Sequence, residues 1–238
     1  VVQNLINITD TAFLGRVGEI ELGASALAGV YYMSVYMIGF GFSTGAQILM
    51  ARRNGEGRYS AIGSIMLQST FFMILLAALL FGINDICAPW FLRWMISSEA
   101  IYGATIEFLD YRIFGLFFSF VAAMFRAFYV GITQTRILTI NAVIMALANI
   151  ALNYMLVFGK FGCPEMGIAG AALGSVLSEF ISVIFFMLYT GMKVDGKKYA
   201  FFNISGFDPK VIVRVLSVSI WTMIQFFLPI ITWFIFFV

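Results

Sequence analysis

Long apolar segments follow one another along this chain with only short polar connectors between them, over 23–49, 61–83, 108–131, 137–158, 167–191 and 212–238, after a shorter one over 1–14. A bilayer core takes about 20 residues of α-helix to cross, and all but the first segment reach that length. A closed β-barrel would need segments of about ten residues with alternating polarity, and that alternation is missing. Hydrophobic residues make up 62% and charged residues 11%, against roughly 45–50% and about 25% in soluble domains. The sequence predicts an all-α, polytopic membrane protein whose solvent is largely the lipid bilayer.

A net charge of +2 gives no basic surface for nucleic acid, and the absence of histidine removes the usual general base and the commonest metal ligand. Cys87 and Cys163 form no CxxC motif; both are read in loops on the outer side, which permits a disulfide between them. No basic n-region with an A-x-A-like cleavage site marks a signal peptide. The chain opens without methionine inside an apolar stretch and closes on Trp233-Phe234-Ile235-Phe236-Phe237-Val238, so a fragment of a longer protein is expected.

Basic residues in the connectors orient the spans. Arg52, Arg53, Arg58, Arg136, Lys193, Lys197, Lys198, Lys210 and Arg214 fall in the even-numbered connectors, and Arg16, Arg93 and Lys160 in the others, nine against three. The positive-inside rule puts the even-numbered connectors in the cytoplasm. The amino terminus of the intact protein is then cytoplasmic, and Asp10 lies toward the outer half of the first span.

A carboxylate inside a membrane span is by default a candidate for ion or proton handling. Gln3, Asn7 and Asp10 recur at helical spacing on one face of the first span. Asn149 and Asn153 do so on the fifth, and Ser175, Ser178, Glu179 and Ser182 on the sixth. Gln47, with Ser43 and Thr44, and Gln68, with Ser60 and Ser64, repeat the pattern more weakly. Polar stripes are costly against hydrocarbon, so these faces are expected to meet one another or a water-filled cavity. Serines and threonines serve mainly as interhelical glue, worth about 0.6 kcal/mol each, whereas Asp10 and Glu179 are too costly for that role alone. Glu107, Asp110 and Arg112 are expected as an ion-paired rim at the outer mouth of the fourth span, and Arg126 is expected to snorkel. An isolated charge is expensive in low dielectric, so Asp10 is expected to alternate between proton-loaded and sodium-compensated states. Neighbouring Asn and Ser oxygens would complete a shell suited to a hard cation. Gly41-x-x-x-Gly45 and Gly170-x-x-x-Gly174 mark close helix approaches.

Several runs carry a resemblance in sequence order. They are Asp10-Thr11-Ala12-Phe13-Leu14-Gly15-Arg16-Val17-Gly18, Gly41-Phe42-Ser43-Thr44-Gly45-Ala46-Gln47 with Ala51-Arg52-Arg53-Asn54-Gly55-Glu56-Gly57, Asn149-Ile150-Ala151-Leu152-Asn153-Tyr154, and Gly167-Ile168-Ala169-Gly170-Ala171-Ala172. Together they resemble the multidrug and toxic compound extrusion (MATE) transporters. The resemblance implies the amino-terminal six-helix lobe, over 1–191 with a truncated first span, a cytoplasmic inter-lobe linker over 192–211, and the seventh of twelve helices over 212–238. It also implies a secondary active antiporter of the cell (plasma or inner) membrane, monomeric at full length. Such a protein exports amphipathic or cationic organic compounds in exchange for protons or sodium ions and uses no other cofactor. Asp10, Asn149, Asn153 and Ser175 match the cation-coupling positions, with Asp10 as the sodium ligand, while Gln3, Asn7, Gln47, Gln68, Ser178 and Glu179 are expected to line the cavity. Asn153 departs from relatives that carry a second aspartate there. A lipid-linked precursor flippase of the same superfamily is the nearest alternative, and a membrane-embedded enzyme using Asp10 and Glu179 is a further one.

Overall fold

The computed structural model describes the backbone of residues 2–201 and 208–237 and the side chains of 10–201, 208–226 and 228. Among the described residues there are eight α-helices: α1 (Val2–Val17), α2 (Glu19–Gly55), α3 (Tyr59–Met95), α4 (Glu99–Arg112), α5 (Gly115–Gly131), α6 (Arg136–Val157), α7 (Gly167–Lys193) and α8 (Pro209–Phe237). Five of them are long and apolar enough to cross a membrane, and α4 with α5 makes a sixth span if the bent pair counts as one. The protein is a multi-pass membrane protein.

Three features differ from the sequence expectation. Helix α3 continues past residue 83 to Met95, through Pro89, so Cys87 sits on a helix and not in a loop. Both cysteines are free thiols, and the disulfide that a shared outer loop permitted is absent. The third difference is α4, which replaces the front of the fourth apolar segment with a separate helix. Ser98 caps it by accepting from the Ile101 N–H, Glu99 stands in its first turn, and the Arg93–Glu99 ion pair at 3.0 Å ties it to the end of α3. Between α4 and α5 the chain bends by 51°. There Leu116 and Phe117 donate to the carbonyls of Ile113 and Phe114, three residues back, the tighter pattern that marks a mid-span break.

The turns have local causes. At the end of α2 the Arg58 N–H reaches the Arg53 carbonyl and the Gly57 N–H the Asn54 carbonyl, a Schellman closure with Gly57 at φ +70°. Arg52 and Arg53 both hold Glu56 there, at 3.0 and 2.5 Å, which keeps that carboxyl below its ordinary range.

Two compact units divide the chain, and the long helices contribute to both. One comprises Val1–Met33, Leu79–Phe118 and Ile140–Ile184. In it α6 and α7 approach so closely that a Cβ at Gly170 would lie 2.6 Å from the Leu156 carbonyl oxygen. Leu14 is buried and the Phe13 and Phe158 rings meet edge to face at 5.6 Å, docking α1 beside the end of α6. The other unit comprises Ser34–Ala78, Ser119–Thr139 and Phe185–Val238. Its α2 and α8 are in near backbone contact, since a Cβ at Gly41 would stand 2.7 Å from Met223 Cα and one at Gly45 would collide with Ser219. Ser219 and Thr222 donate to the carbonyls of Phe42 and Gly41 at 3.1 and 3.0 Å, so both small-residue motifs are helix contacts.

Candidate cation-coupling site

In the first unit, Asp10 projects from α1 toward α6. The Asn153 amide donates to Asp10 Oδ1 at 2.5 Å and to Asn149 Oδ1 at 3.3 Å, and Asn149 in turn donates to Ser175 Oγ on α7 at 3.2 Å. Helical spacing does this work. Asn149 and Asn153 stand one turn apart, so their side chains share one face of α6 and can hand a hydrogen bond along it. Asn149 and Asn153 are buried, Asp10 and Ser175 partly so. Gly174 supplies the room: a Cβ there would collide with Asn153 Oδ1, and this oxygen is buried without a hydrogen-bond partner. The four residues proposed from sequence for cation coupling therefore form one continuous chain of oxygen and amide groups.

The α7 stripe continues past Ser175. One turn on, Glu179 receives both arms of Arg112 from the end of α4, at 2.6 and 3.0 Å. The guanidinium stacks 3.8 Å over the Tyr32 ring on α2. Arg112 and Glu179 keep side-chain exposures of 14% and 16%. A bidentate guanidinium–carboxylate pair is among the stronger hydrogen-bonded geometries, and stacking on a desolvated ring adds attraction. Arg112 and Asp10 also interact electrostatically. The pair lies against Gly115, where a Cβ would meet both Arg112 and Glu179, so it is seated on the α4–α5 bend. Further along, Ser182 accepts from Asn141 at 2.8 Å.

Comparison with known proteins adds an independent line. Residues 1–155 match the sequence model of the MatE family. The chain belongs to the MatE family. It is 28% identical over 189 residues to "Probable multidrug resistance protein NorM" of Idiomarina loihiensis, covering 79% of this chain and 40% of that protein. To the protein of the same name from Agrobacterium fabrum it is 29% identical, covering 83% and 42%. "Multidrug resistance protein NorM" of Vibrio cholerae is 24% identical, covering 92% and 48%. The chain spans about half the length, or somewhat less, of these curated relatives. Solved outward-facing and inward-facing structures of a multidrug resistance MATE family transporter of the MOP superfamily share the fold at TM-scores of 0.84 and 0.84. They are 19% and 18% identical and cover 94% of this chain and about half of those chains.

The other polar residues of this MatE chain read from sequence have their own settings. Gln3 and Asn7 fall on α1, but their side chains lie outside the described residues. Ser178 is buried and donates to the Ser175 carbonyl of its own helix at 2.7 Å. Gln47 and Gln68 belong to the second unit. Gln68 donates to Ser64 at 2.9 Å and accepts from the Asp208 N–H at 3.1 Å, anchoring the start of α8. In the same unit, Arg53, Arg58 and Arg214 face a cavity of about 240 Å³ at the ends of α2, α3 and α8, and Arg126 lies over the Phe40 ring.

Sequence reasoning placed Arg112 at an outer rim and did not pair it with Glu179; it passed over Tyr32 and Asn141. Arg112 inside the fourth apolar segment was the available signal, because an intramembrane charge calls for a partner. Among the described residues no cluster of three or more His, Cys, Asp or Glu side chains could hold a metal ion. The oxygens at the site are one carboxylate, two amide carbonyls and a hydroxyl, a hard-donor set that fits sodium or a proton-bearing carboxyl.

Proposed function

We propose that this chain is part of a cation-coupled multidrug antiporter in which Asp10 takes up a proton or a sodium ion and thereby drives export of amphipathic or cationic organic compounds. The observation that carries this reading is the Asn153 amide donating to Asp10 inside a membrane-spanning bundle. A donor facing the carboxylate suits the ionised, unloaded state. A primary amide has a donor end and an acceptor end, so exchanging the two answers a change in Asp10. A protonated Asp10 offers an O–H to Asn153 Oδ1, and a sodium ion at Asp10 takes that same oxygen as a ligand. Asn149 and Ser175 relay the change from α6 to α7. The orphaned Oδ1 is the acceptor such a state requires. Family membership and the names of the NorM relatives support the substrate class.

One charge entering through a potential of about 100 mV gains about 2.3 kcal/mol, enough to sustain roughly a fortyfold gradient of a neutral compound. A cationic substrate leaving against the same potential cancels that gain, so coupling then leans on the ion's chemical gradient or on more than one ion. The protein works as a monomer in the cell membrane with its amino terminus in the cytoplasm, as the connector charges favour. The flippase alternative calls for a basic cavity within the spans, where the half-buried Arg112 is neutralised by Glu179; the cavity faced by Arg53, Arg58 and Arg214 lies at the helix ends. The test is Asp10→Asn in the full-length transporter reconstituted in liposomes under imposed proton and sodium gradients. Ion-driven efflux is expected to vanish while the variant still binds substrate; undiminished efflux would overturn the reading.

A further inference from the structure

Asp10 on α1 and Glu179 on the spanning helix α7 are carboxylates of one unit, yet their settings are opposite. Among the described residues, Asp10 is met by the neutral amide of Asn153 on α6, whereas Glu179 is held at both oxygens by Arg112. Ser175, which ends the hydrogen-bond chain from Asp10, stands one turn before Glu179 on α7. Around Asp10 the charged and titratable groups among the described residues are Arg112 from α4, and beyond it Glu179 from α7 and Tyr32 from α2. Helix α6 contributes Asn149 and Asn153 alone.

We infer that the Arg112–Glu179 pair sets the cation affinity of Asp10: Glu179 holds the guanidinium off Asp10 and is itself withheld from the cation, so one carboxylate, not two, exchanges in this unit. This rests on the coupling reading above and extends it to residues outside the four-member chain. With all three groups ionised the cluster carries one net negative charge, which a single monovalent cation neutralises. Arg112 is held from three sides, by Glu179, by the Tyr32 face and by the Gly115 backbone at the α4–α5 bend. Removing Glu179 releases the guanidinium to serve as an internal counter-ion for Asp10, in competition with the transported cation. Removing Arg112 has the reverse effect, because it leaves a second uncompensated carboxylate near Asp10 that draws cations in. Arg112 and Glu179 are thus positioning residues that act through Asp10, and the two single variants err in opposite directions.

Opposite signs separate this role from a structural one, since loss of packing moves both variants the same way or moves neither. The experiment measures the half-saturating external cation concentration for ethidium efflux by the full-length transporter in proteoliposomes. Sodium is varied at fixed pH, and pH is varied without sodium. Glu179→Gln is expected to raise the half-saturating concentration about tenfold and Arg112→Gln to lower it about tenfold, the scale of one uncompensated unit charge acting through the protein without direct contact. The double variant Arg112→Gln with Glu179→Gln restores neutrality and is expected within about threefold of the parent. Shifts of both single variants in one direction, or no shift in either, overturn the inference. Where a single variant does not fold, the double variant decides. Cation dependence near the parent's, still lost on adding Asp10→Asn, supports the inference; displacement beyond about tenfold overturns it. Asp10→Asn in the parent separates the two readings, because full ion-driven efflux by that variant removes the coupling role of Asp10, whereas its loss beside same-sign shifts removes only the role of the pair.

Discussion

Asp10 carries the exchange, and its setting depends on a residue that has no side chain. Asp10 meets its amide partner because Gly174 leaves room for Asn153. Gly174→Ala puts a methyl against Asn153 Oδ1, and overpacking of this kind costs typically 1–3 kcal/mol. The amide shifts and the hydrogen-bond chain to Ser175 breaks. The half-saturating cation concentration is expected to rise about tenfold in proteoliposome efflux assays, each 1.4 kcal/mol being a tenfold change. Retention of parental cation dependence in a well-folded Gly174→Ala variant would show that Asn153 does not set the affinity. Asp10, Asn149, Asn153 and Ser175 were legible as polar residues at helical spacing in otherwise apolar runs, and the family resemblance grouped them. Arg112 was legible only as a charge in want of a partner. That partner stands 67 residues away, and sequence spacing does not reach so far.

Among the elements, α2 and α8 show how close helix approach replaces a hydrophobic driving force that lipid does not supply. Gly45→Val would push α8 off α2 at Ser219 and lose its hydrogen bond to the Phe42 carbonyl. A drop of several degrees in thermal unfolding of the detergent-solubilised protein is expected, consistent with about 1–3 kcal/mol of overpacking. Gly29→Ala, where an added Cβ meets nothing within 4 Å, is the control and is expected to leave the transition unchanged. The α2–α3 turn has its own pH dependence. Glu56 is stabilised in its charged form by Arg53 and Arg52, so its contribution is fully present above its ordinary value of 4.5 and is lost as pH falls through the lower folded-state value. Hydrogen exchange at the Gly57 and Arg58 amides, corrected for intrinsic rates, is expected to stay flat from neutral pH down to about 4.5 and to quicken below it, where a carboxylate of lowered pKa takes up its proton. A quickening that begins well above that range would place the ion pair outside the cause. The α4 helix and the extension of α3 were hidden from hydropathy, since Asp85, Arg93, Glu99 and Glu107 read as a connector. Capping by Ser98 and the Arg93–Glu99 pair make helix of it.

At the scale of the whole molecule, the connector charges predict an orientation. Cys163 is therefore expected to be labelled from outside by a membrane-impermeant maleimide in right-side-out vesicles of a Cys87→Ser variant, whereas Gly57→Cys in a cysteine-free background is expected to react only after permeabilisation. The reverse pattern would invert the topology and move Asp10 to the inner half of its span. Hydrophobicity, charge asymmetry and helical period are properties of short windows, and a bilayer turns them directly into spans, orientation and polar faces. Those features, and the resemblance to the family, were fixed by the order of residues alone. Tertiary structure decided which faces meet: that Asn153 turns its amide to Asp10, that Glu179 is held by Arg112 over Tyr32, and that Gln68 anchors α8. Such pairings depend on the rotation and offset of helices far apart in sequence, which close packing sets and no local pattern encodes.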